Sequence, residues 1–208
     1  MVEEEPLVFI IDDDASVRRS LERLFKSVGL KVEIFASAQE FLNRERPDRT
    51  SCIVLDVRMP GLSGFDLQDT LAAVNFRVPI IFLTGHGNIP LSVRAMKAGA
   101  IDFIEKPFND QVLLDAVQKA LEKDRQFRLK EAEVDEIKRR TATLSPREYE
   151  VFTHVICGKL NKQIAYELGI VEKTIKVHRA QVMRKMQADS LADLIRMAGK
   201  VGVNVPEE

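Results

Sequence analysis

Carboxylates follow two apolar runs of this 208-residue chain at the point where each run ends. Asp12 and Asp13 come directly after Leu7–Ile11, and Asp56 ends the run that begins at Cys52. Short apolar runs rich in β-branched residues are typical of strands buried in a parallel sheet. Because open parallel sheets place their ligand sites at the carboxyl ends of the strands, we expect the three carboxylates to meet at one edge.

A hydroxyl and an ammonium complete this set, since Thr84 ends a further apolar run and Lys106 follows another. Clustered carboxylates repel one another unless a cation neutralises them, and an acidic, oxygen-rich pocket suits Mg²⁺. A carboxylate nucleophile beside a divalent ion, a hydroxyl and an ammonium has the groups that aspartyl-phosphate formation needs. The sequence therefore predicts that Asp56 accepts a phosphoryl group beside Mg²⁺.

Each of these residues has a simpler interpretation when it is taken alone. An Asp after a strand is usually a helix N-cap or a turn residue, and Asp13 or Asp14 fits that role. A single Thr or Lys at a strand end carries no functional meaning. Five such residues at the ends of four predicted strands favour the phosphoacceptor site.

Apolar runs alternate with helical patterns throughout the first 120 residues. This alternation predicts an α/β fold, a five-stranded doubly wound parallel sheet. The predicted strands cover residues 7–11, 31–35, 52–56, 79–84 and 101–105. The predicted helices cover residues 17–28, 38–46, 64–74 and 89–98, and a fifth begins near Asp110.

The segment 121–140 separates this region from a second one, because thirteen of its twenty residues are charged and none is Gly or Pro. Every side chain in it is compatible with a helix. We therefore predict a first domain, with the phosphoacceptor site, over residues 1–120, a charged helical linker over residues 121–142 and a second domain over residues 143–208.

The second domain begins with a helix start signal, in which Ser145 is the N-cap, Pro146 the first helical residue and Glu148 completes a capping box. Gly158 and Gly169 mark breaks between helical patterns. The expected architecture is all-α, with four helices in a helix-turn-helix pattern. These helices are predicted over residues 146–157, 161–168, 172–186 and 189–199.

Charge is distributed unevenly along the chain. Residues 1–120 contain 14 Lys and Arg against 18 Asp and Glu, whereas residues 173–185 contain five basic residues and no acid. A locally basic helix predicts nucleic acid as a partner, although such a face is often only solvated. The acidic N-terminus and the absence of any bilayer-length apolar run predict a cytoplasmic protein with no membrane partner.

Residues 7–120 resemble the receiver domain of two-component response regulators, which has a flavodoxin-like fold, and the stretch from His86 to Ala100 resembles the FixJ-like branch in particular. The resemblance implies that Asp56 is the phosphoacceptor and that a cis bond joins Lys106 to Pro107. It assigns the remaining roles as follows: metal-binding acids, Asp12 and Asp13; metal-binding backbone carbonyl, Arg58; switch hydroxyl, Thr84; invariant lysine, Lys106; switch aromatic, Phe103.

Residues 143–199 resemble the LuxR-type helix-turn-helix domain, whose third helix enters the major groove of DNA. Lys176 and Val177 are the candidates for base contacts, since Lys reaches guanine acceptors and Val meets a thymine methyl. The resemblance implies a DNA-contacting set of Lys162, Lys173, Thr174, Lys176, Val177, Arg179 and Lys185. It implies a dimer surface on the last helix formed by Leu191, Leu194, Ile195 and Ala198.

Together the two resemblances imply a transcription factor of the response-regulator class, whose receiver catalyses only its own phosphorylation and dephosphorylation. The implied partners are a sensor histidine kinase, double-stranded DNA, a second copy on activation and RNA polymerase. Activation of transcription is the family expectation. Two other functions stay open: a phosphorelay sink, and a constitutive DNA binder whose receiver serves only for dimerisation. RNA binding is a remote alternative.

Overall fold

The structure is a computed structural model that describes residues 5–45, 48–85 and 89–203. It divides into two compact units, with the boundary between Arg128 and Leu129. Part of the FixJ-like stretch, residues 86–88, lies outside the described residues. No helix within the described ranges has the length and apolar character that crossing a membrane requires.

The first unit contains a five-stranded parallel sheet in the order β2-β1-β3-β4-β5. This confirms the predicted doubly wound α/β fold. The strand bounds lie within a residue of those predicted from the apolar runs: β1 (Leu7–Ile11), β2 (Lys31–Phe35), β3 (Ser51–Asp56), β4 (Ile80–Thr84) and β5 (Asp102–Glu105).

The strand β1, which lies between β2 and β3, is apolar at every position because both faces of the sheet are covered. Phe9 and Ile11 pack into the hydrophobic cluster on one face, whereas Val8 and Ile10 pack into the cluster on the other. All five residues of β1 are buried. Alternating side chains therefore enter two different cores, which is why the sequence shows a continuous apolar run and no alternation.

Four helices follow the first four strands: α1 (Ala15–Ser27), α2 (Ala38–Leu42), α3 (Gly64–Ala73) and α4 (Ile89–Lys97). Asp14 caps α1 by accepting hydrogen bonds from the amides of Ser16 and Val17, so its interpretation as an N-cap is confirmed. The prediction that α2 reaches residue 46 is wrong. The helix ends at Leu42, and Arg44 turns to bind the carboxylate of Glu33 on β2.

The helix α5 (Asp110–Ala142) continues through the charged segment as predicted. In the second unit it is followed by α6 (Pro146–Ile156), α7 (Asn161–Leu168), α8 (Glu172–Met186) and α9 (Leu191–Lys200). The predicted capping box at Ser145 and Glu148 is present. Gly169 ends α7 with φ of 65°, a left-handed conformation that glycine adopts without a steric penalty.

The loop after β3 brings the start of α3 against the end of the strand. A Cβ atom at Gly64 would lie 2.4 Å from the backbone oxygen of Asp56 and 3.1 Å from the ring of Phe82. Only glycine allows this approach, because the nearest obstacle is backbone and cannot rotate away. Gly64 therefore determines how closely α3 packs beside the carboxylate of Asp56.

We expect Gly64→Ala to lower the free energy of unfolding of the first unit by about 1–3 kcal/mol, because the added methyl group forces the backbone apart. The measurement is urea unfolding of the full chain, followed by a probe in the first unit. Gly85→Ala is the control, since a Cβ there meets nothing within 4 Å. Equal stability of the two variants would contradict the expected clash.

Candidate functional site

The ends of β1, β3 and β5 meet at one edge of the sheet, as predicted from the positions of their polar residues. The ammonium of Lys106, directly after β5, donates hydrogen bonds to Asp12 Oδ2 at 2.7 Å and to Asp56 Oδ1 at 2.6 Å. Three residues separated by up to 94 positions in the sequence thus form one hydrogen-bonded group. The structure confirms the predicted cis peptide bond between Lys106 and Pro107.

Burial and hydrogen bonding act in opposite directions on the pKa values of Asp12 and Lys106. Burial raises the pKa of the Asp12 carboxyl, against hydrogen bonds from Lys106 and the amide of Asp14 that lower it. Burial alone would lower the pKa of Lys106, but its hydrogen bonds to Asp12 and Asp56 outweigh this effect and the pKa is raised. The ammonium therefore stays protonated and partly neutralises the two carboxylates beside it.

Two further groups hold the acidic residues in place. The guanidinium of Arg18 on α1 donates to the backbone oxygen of Asp12 at 2.6 Å, and the amide of Asp14 donates to Asp12 Oδ1 at 2.9 Å. Asp13 is exposed beside them. The sequence analysis did not identify Arg18, because an Arg on an amphipathic helix looks like any other solvated residue.

The remaining oxygen of Asp56 is held by its own loop, since the amide of Arg58 donates to Asp56 Oδ2 at 2.7 Å. No three acidic, His or Cys side chains among the described residues lie close enough together to hold a metal ion by themselves. Mg²⁺ commonly uses only one or two carboxylates together with waters and phosphate oxygens. The donor chemistry of Asp12, Asp13 and Asp56 fits that requirement.

The two predicted switch residues lie on neighbouring strands. Thr84 ends β4 and is buried, and its backbone oxygen accepts a hydrogen bond of 2.7 Å from the amide of Lys106. The ring of Phe103 on β5 packs against the buried ring of Phe82 at a centroid distance of 6.3 Å. Phe82 in turn lies 5.0 Å from the ring of Phe65 on α3. Phe103, the predicted switch aromatic, is thus at one end of a chain of three rings.

In the second unit, the predicted recognition helix α8 presents most of its basic residues to solvent. Lys173 is exposed, Lys176 is 65% exposed and lies 3.3 Å from Glu172, and Val177 is 54% exposed. Thr174 is half-buried near the start of the helix, and Lys162 is exposed on α7. The side of α8 near its first two turns is therefore accessible to a ligand.

Two other predicted DNA-contacting cations are engaged inside the unit. Arg179 Nη1 lies 3.2 Å from Asn161 Oδ1 at the start of α7. Lys185 donates to Glu148 Oε2 at 2.6 Å and to the backbone oxygen of Thr143 at 2.9 Å. These contacts tie α8 to its neighbouring helices, so the charge of Lys185 is largely used within the fold.

The face of α9 that was predicted to form a dimer surface is mostly internal. Leu194 and Ala198 are 0% and 1% exposed in the core of the same unit, and Leu191 packs against that core. The unit's own helices therefore cover much of the apolar stripe of α9, and the dimer surface on this helix stays a prediction. Ile195 is 38% exposed.

Exposed apolar residues on α7 were not identified from the sequence. Tyr166 is 90% exposed, and Leu160, which precedes the helix, is 69% exposed. Tyr166 lies within the helix-turn-helix motif, where helical spacing alone does not separate a core aromatic from a surface one. Only the packing of α7 on α8 decides which side of this helix faces solvent.

Sequence models of two families match the chain. The response regulator receiver domain matches residues 8–118, and the luxR family of bacterial regulatory proteins matches residues 142–198. The chain is a two-component response regulator with a LuxR-type DNA-binding domain. The site around Asp56 lies in the first match, and α8 lies in the second.

Relatives that match nearly the whole chain support the same assignment. Nodulation protein W of Bradyrhizobium diazoefficiens is 56% identical over 198 residues, covering 95% of this chain and 87% of the relative. The transcriptional regulatory protein FixJ of the same organism is 45% identical over 196 residues, which cover 94% of this chain and 96% of the relative. The low-resolution structure of the response regulator StyR has a TM-score of 0.86 at 47% identity and covers 94% of this chain and 99% of that chain.

The ion pair between Glu148 and Lys185 generates a pH dependence. Lys185 and the amide of Ser145 lower the pKa of Glu148 to about 2 from its ordinary 4.5. A carboxyl with a lowered pKa stabilises the fold above its ordinary pKa, and this stabilisation is lost as the pH falls towards the folded-state value. The window therefore runs from about pH 4.5 down to about pH 2.

We expect Glu148→Gln to destabilise the second unit by about 2 kcal/mol at pH 7, because a charge-assisted hydrogen bond and half of the capping box are weakened. The difference from the unsubstituted chain should shrink as the pH falls through that window. Thermal unfolding at a series of pH values measures this. Glu150→Gln, on the exposed side of the same helix, is the control, and a pH-independent difference would contradict the interpretation.

Proposed function

We propose that a sensor histidine kinase phosphorylates this response regulator on Asp56, and that phosphorylation controls dimerisation and sequence-specific DNA binding by α8. The observation that supports it best is the hydrogen-bonded group of Lys106, Asp12 and Asp56 at the ends of three strands. Such a group presents a carboxylate nucleophile beside a fixed ammonium and a second acid. Phosphorylation of this group controls the DNA-binding domain that follows in the same chain.

Asp56 Oδ1 and Oδ2 are both hydrogen-bonded, so the orientation of the carboxylate is fixed before a phosphoryl donor arrives. The residues that would hold Mg²⁺ are Asp12, Asp13, Asp56 and, by its backbone carbonyl, Arg58, and the ion would offset the negative charge of the phosphoryl oxygens. Lys106 supplies a further positive charge from the side of β5. The hydroxyl of Thr84, at the end of the adjacent strand, then donates a hydrogen bond to a phosphoryl oxygen.

The transition after phosphorylation is carried by Thr84 and Phe103. Movement of the Thr84 side chain towards the phosphoryl group changes the packing beside Phe82, which adjoins Phe103 on β5. The face formed by α4 and β5 then changes, and a second copy binds. Packed rings have few alternative arrangements, so a small shift at the site yields a discrete change rather than a gradual one.

DNA binding follows from the exposed first turns of α8. Lys176 and Val177 contact base edges in the major groove, while Lys162 and Lys173 contact phosphates. Thr174 adds a hydroxyl at the same end of the helix. In a dimer two such helices contact half-sites about one helical turn apart. Recruitment of RNA polymerase at that site makes the protein an activator.

Two alternatives make different experimental predictions. A constitutive DNA binder would give normal transcriptional induction with Asp56→Asn, and a phosphorelay sink would function normally without Lys176. The bonded arrangement of Lys106 and the two acids favours a working phosphoacceptor over a module that serves only for dimerisation. The exposed basic residues in the first turns of α8 favour a DNA-binding protein over a phosphorelay sink.

We expect beryllium fluoride with Mg²⁺, which mimics an acyl phosphate, to shift the full chain towards dimers and to raise its DNA affinity by at least about tenfold. Asp56→Asn should abolish both responses, because the nucleophilic carboxylate is lost. Analytical ultracentrifugation and DNA titration measure them. Glu22→Gln, which removes an acid on α1 that pairs with Lys26 of the same helix, should respond as the unsubstituted chain does. Unchanged oligomeric state and DNA affinity in the unsubstituted chain would contradict the switch.

We expect Lys176→Ala to relax base preference at one position of the bound site, with a cost of about 1–3 kcal/mol for the preferred base. Lys173→Ala should instead weaken binding to all sequences similarly and reduce the salt dependence by about one phosphate contact. The measurement is binding to a randomised double-stranded pool at several salt concentrations. If both variants lose affinity uniformly, Lys176 is a phosphate contact and not a base contact.

A further inference from the structure

The last turns of α5 pack into the core of the second unit, although they precede residues 142–198, which match the luxR family. Ile137 is 3% exposed and belongs to the same hydrophobic cluster as Val182 and Met186 of α8. Glu133 forms an ion pair of 2.5 Å with Lys200 at the end of α9. The segment from Glu133 to Ala142 therefore has the contacts of a structural element of this unit.

This segment contacts the C-terminal end of α8 in particular. Arg140 Nη1 donates to the backbone oxygen of Met186 at 3.2 Å, and Thr141 Oγ1 lies 3.7 Å from Met186 Sδ. Just beyond the helix, the backbone oxygen of Thr143 accepts a hydrogen bond of 2.9 Å from Lys185. Contacts from residues 140, 141 and 143 thus converge on the last two residues of α8.

The chemistry at this helix end explains why an arginine is suited to position 140. The last four carbonyl groups of a helix have no partner within it, and the helix dipole places partial negative charge there. Met186 is the last helical residue, since Gln187 leaves the helix with φ of 54°. The guanidinium satisfies the carbonyl of Met186 and adds the favourable charge. A second hydrogen bond, Nε to Glu136 Oε1 at 2.7 Å, fixes its direction.

We infer that Arg140 is a positioning residue for DNA recognition, which holds the C-terminal end of α8 so that its first turns keep their angle in the major groove. The inference rests on the proposed DNA binding by α8. The middle of the helix is held separately, by the contact of Arg179 with Asn161 on α7. Contacts at the middle and at the C-terminal end together limit rotation of α8 about either point.

Arg139 supplies a matched control for this role. It is the adjacent residue of the same type, its side chain is 78% exposed, and it forms an ion pair with Glu136. Arg139→Gln and Arg140→Gln remove the same charge from the same helix turn. A general electrostatic effect on DNA binding will therefore be shared by the two variants, whereas loss of the bond to Met186 affects only the second.

The test uses the full chain with Mg²⁺ and beryllium fluoride. The probes are a double-stranded oligonucleotide that the unsubstituted chain selects from a random pool, and a scrambled oligonucleotide of equal length. We expect Arg140→Gln to reduce the ratio of specific to scrambled affinity about tenfold, as the loss of one charge-assisted hydrogen bond would. Arg139→Gln should leave that ratio within about twofold. Arg140→Lys, which keeps the charge but not the second hydrogen bond, should lose about threefold.

The outcomes distinguish a positioning role of Arg140 from a contribution to the stability of the second unit alone. Equal ratios for Arg140→Gln and Arg139→Gln would overturn the inference, and so would parallel loss of specific and scrambled affinity in a variant whose circular dichroism is unchanged. If Arg140→Gln unfolds the second unit, the Arg140→Lys ratio decides, and an unchanged ratio overturns the inference. Lys176→Ala in the same assay tests the proposed function separately. If this variant leaves the ratio of specific to scrambled affinity unchanged, α8 is not the helix that contacts the bases.

Discussion

The ammonium of Lys106 between the carboxylates of Asp12 and Asp56 is the interaction on which the first unit depends. Two buried or partly buried acids at one edge of a sheet repel each other, and the cost grows as water is excluded. A single cation 2.6–2.7 Å from both offsets that repulsion and fixes their positions. The sheet order places the supporting strands together, with β3 between β1 and β4 and with β5 beside β4.

Strand β3 connects this site to the opposite edge of the sheet. Asp56 ends the strand at one edge, and at the other the amide of Ser51 donates a hydrogen bond of 2.9 Å to Asp124 on α5. Asp124 is 2% exposed and is also bound by Arg128 Nε at 2.8 Å. Burial of a carboxylate is tolerated here because it accepts from both an amide and a guanidinium. Strand β3, which ends at Asp56, is therefore fixed to the long helix α5.

In the second unit, basic residues divide into those that build the fold and those that remain available for a ligand. Lys185 and Arg140 each satisfy a buried or terminal acceptor of a neighbouring element, whereas Lys173 and Lys176 stay exposed. A basic stretch in a sequence gives no means of separating these roles, since the acceptors lie far away in the chain. Glu148, which binds Lys185, is 37 residues distant.

The sequence by itself determined the strands, the helix starts and the order of the two domains, because these depend on local signals: apolar runs, capping boxes and glycines that adopt positive φ. It also determined which residues could form the proposed phosphoacceptor site, since parallel strands bring their ends together. Tertiary structure alone decided that Lys106 bridges two acids, that Arg18 and Arg140 bind backbone oxygens, and that the apolar stripe of α9 is covered by its own unit. An amphipathic pattern predicts that a face is buried but carries no information on what buries it.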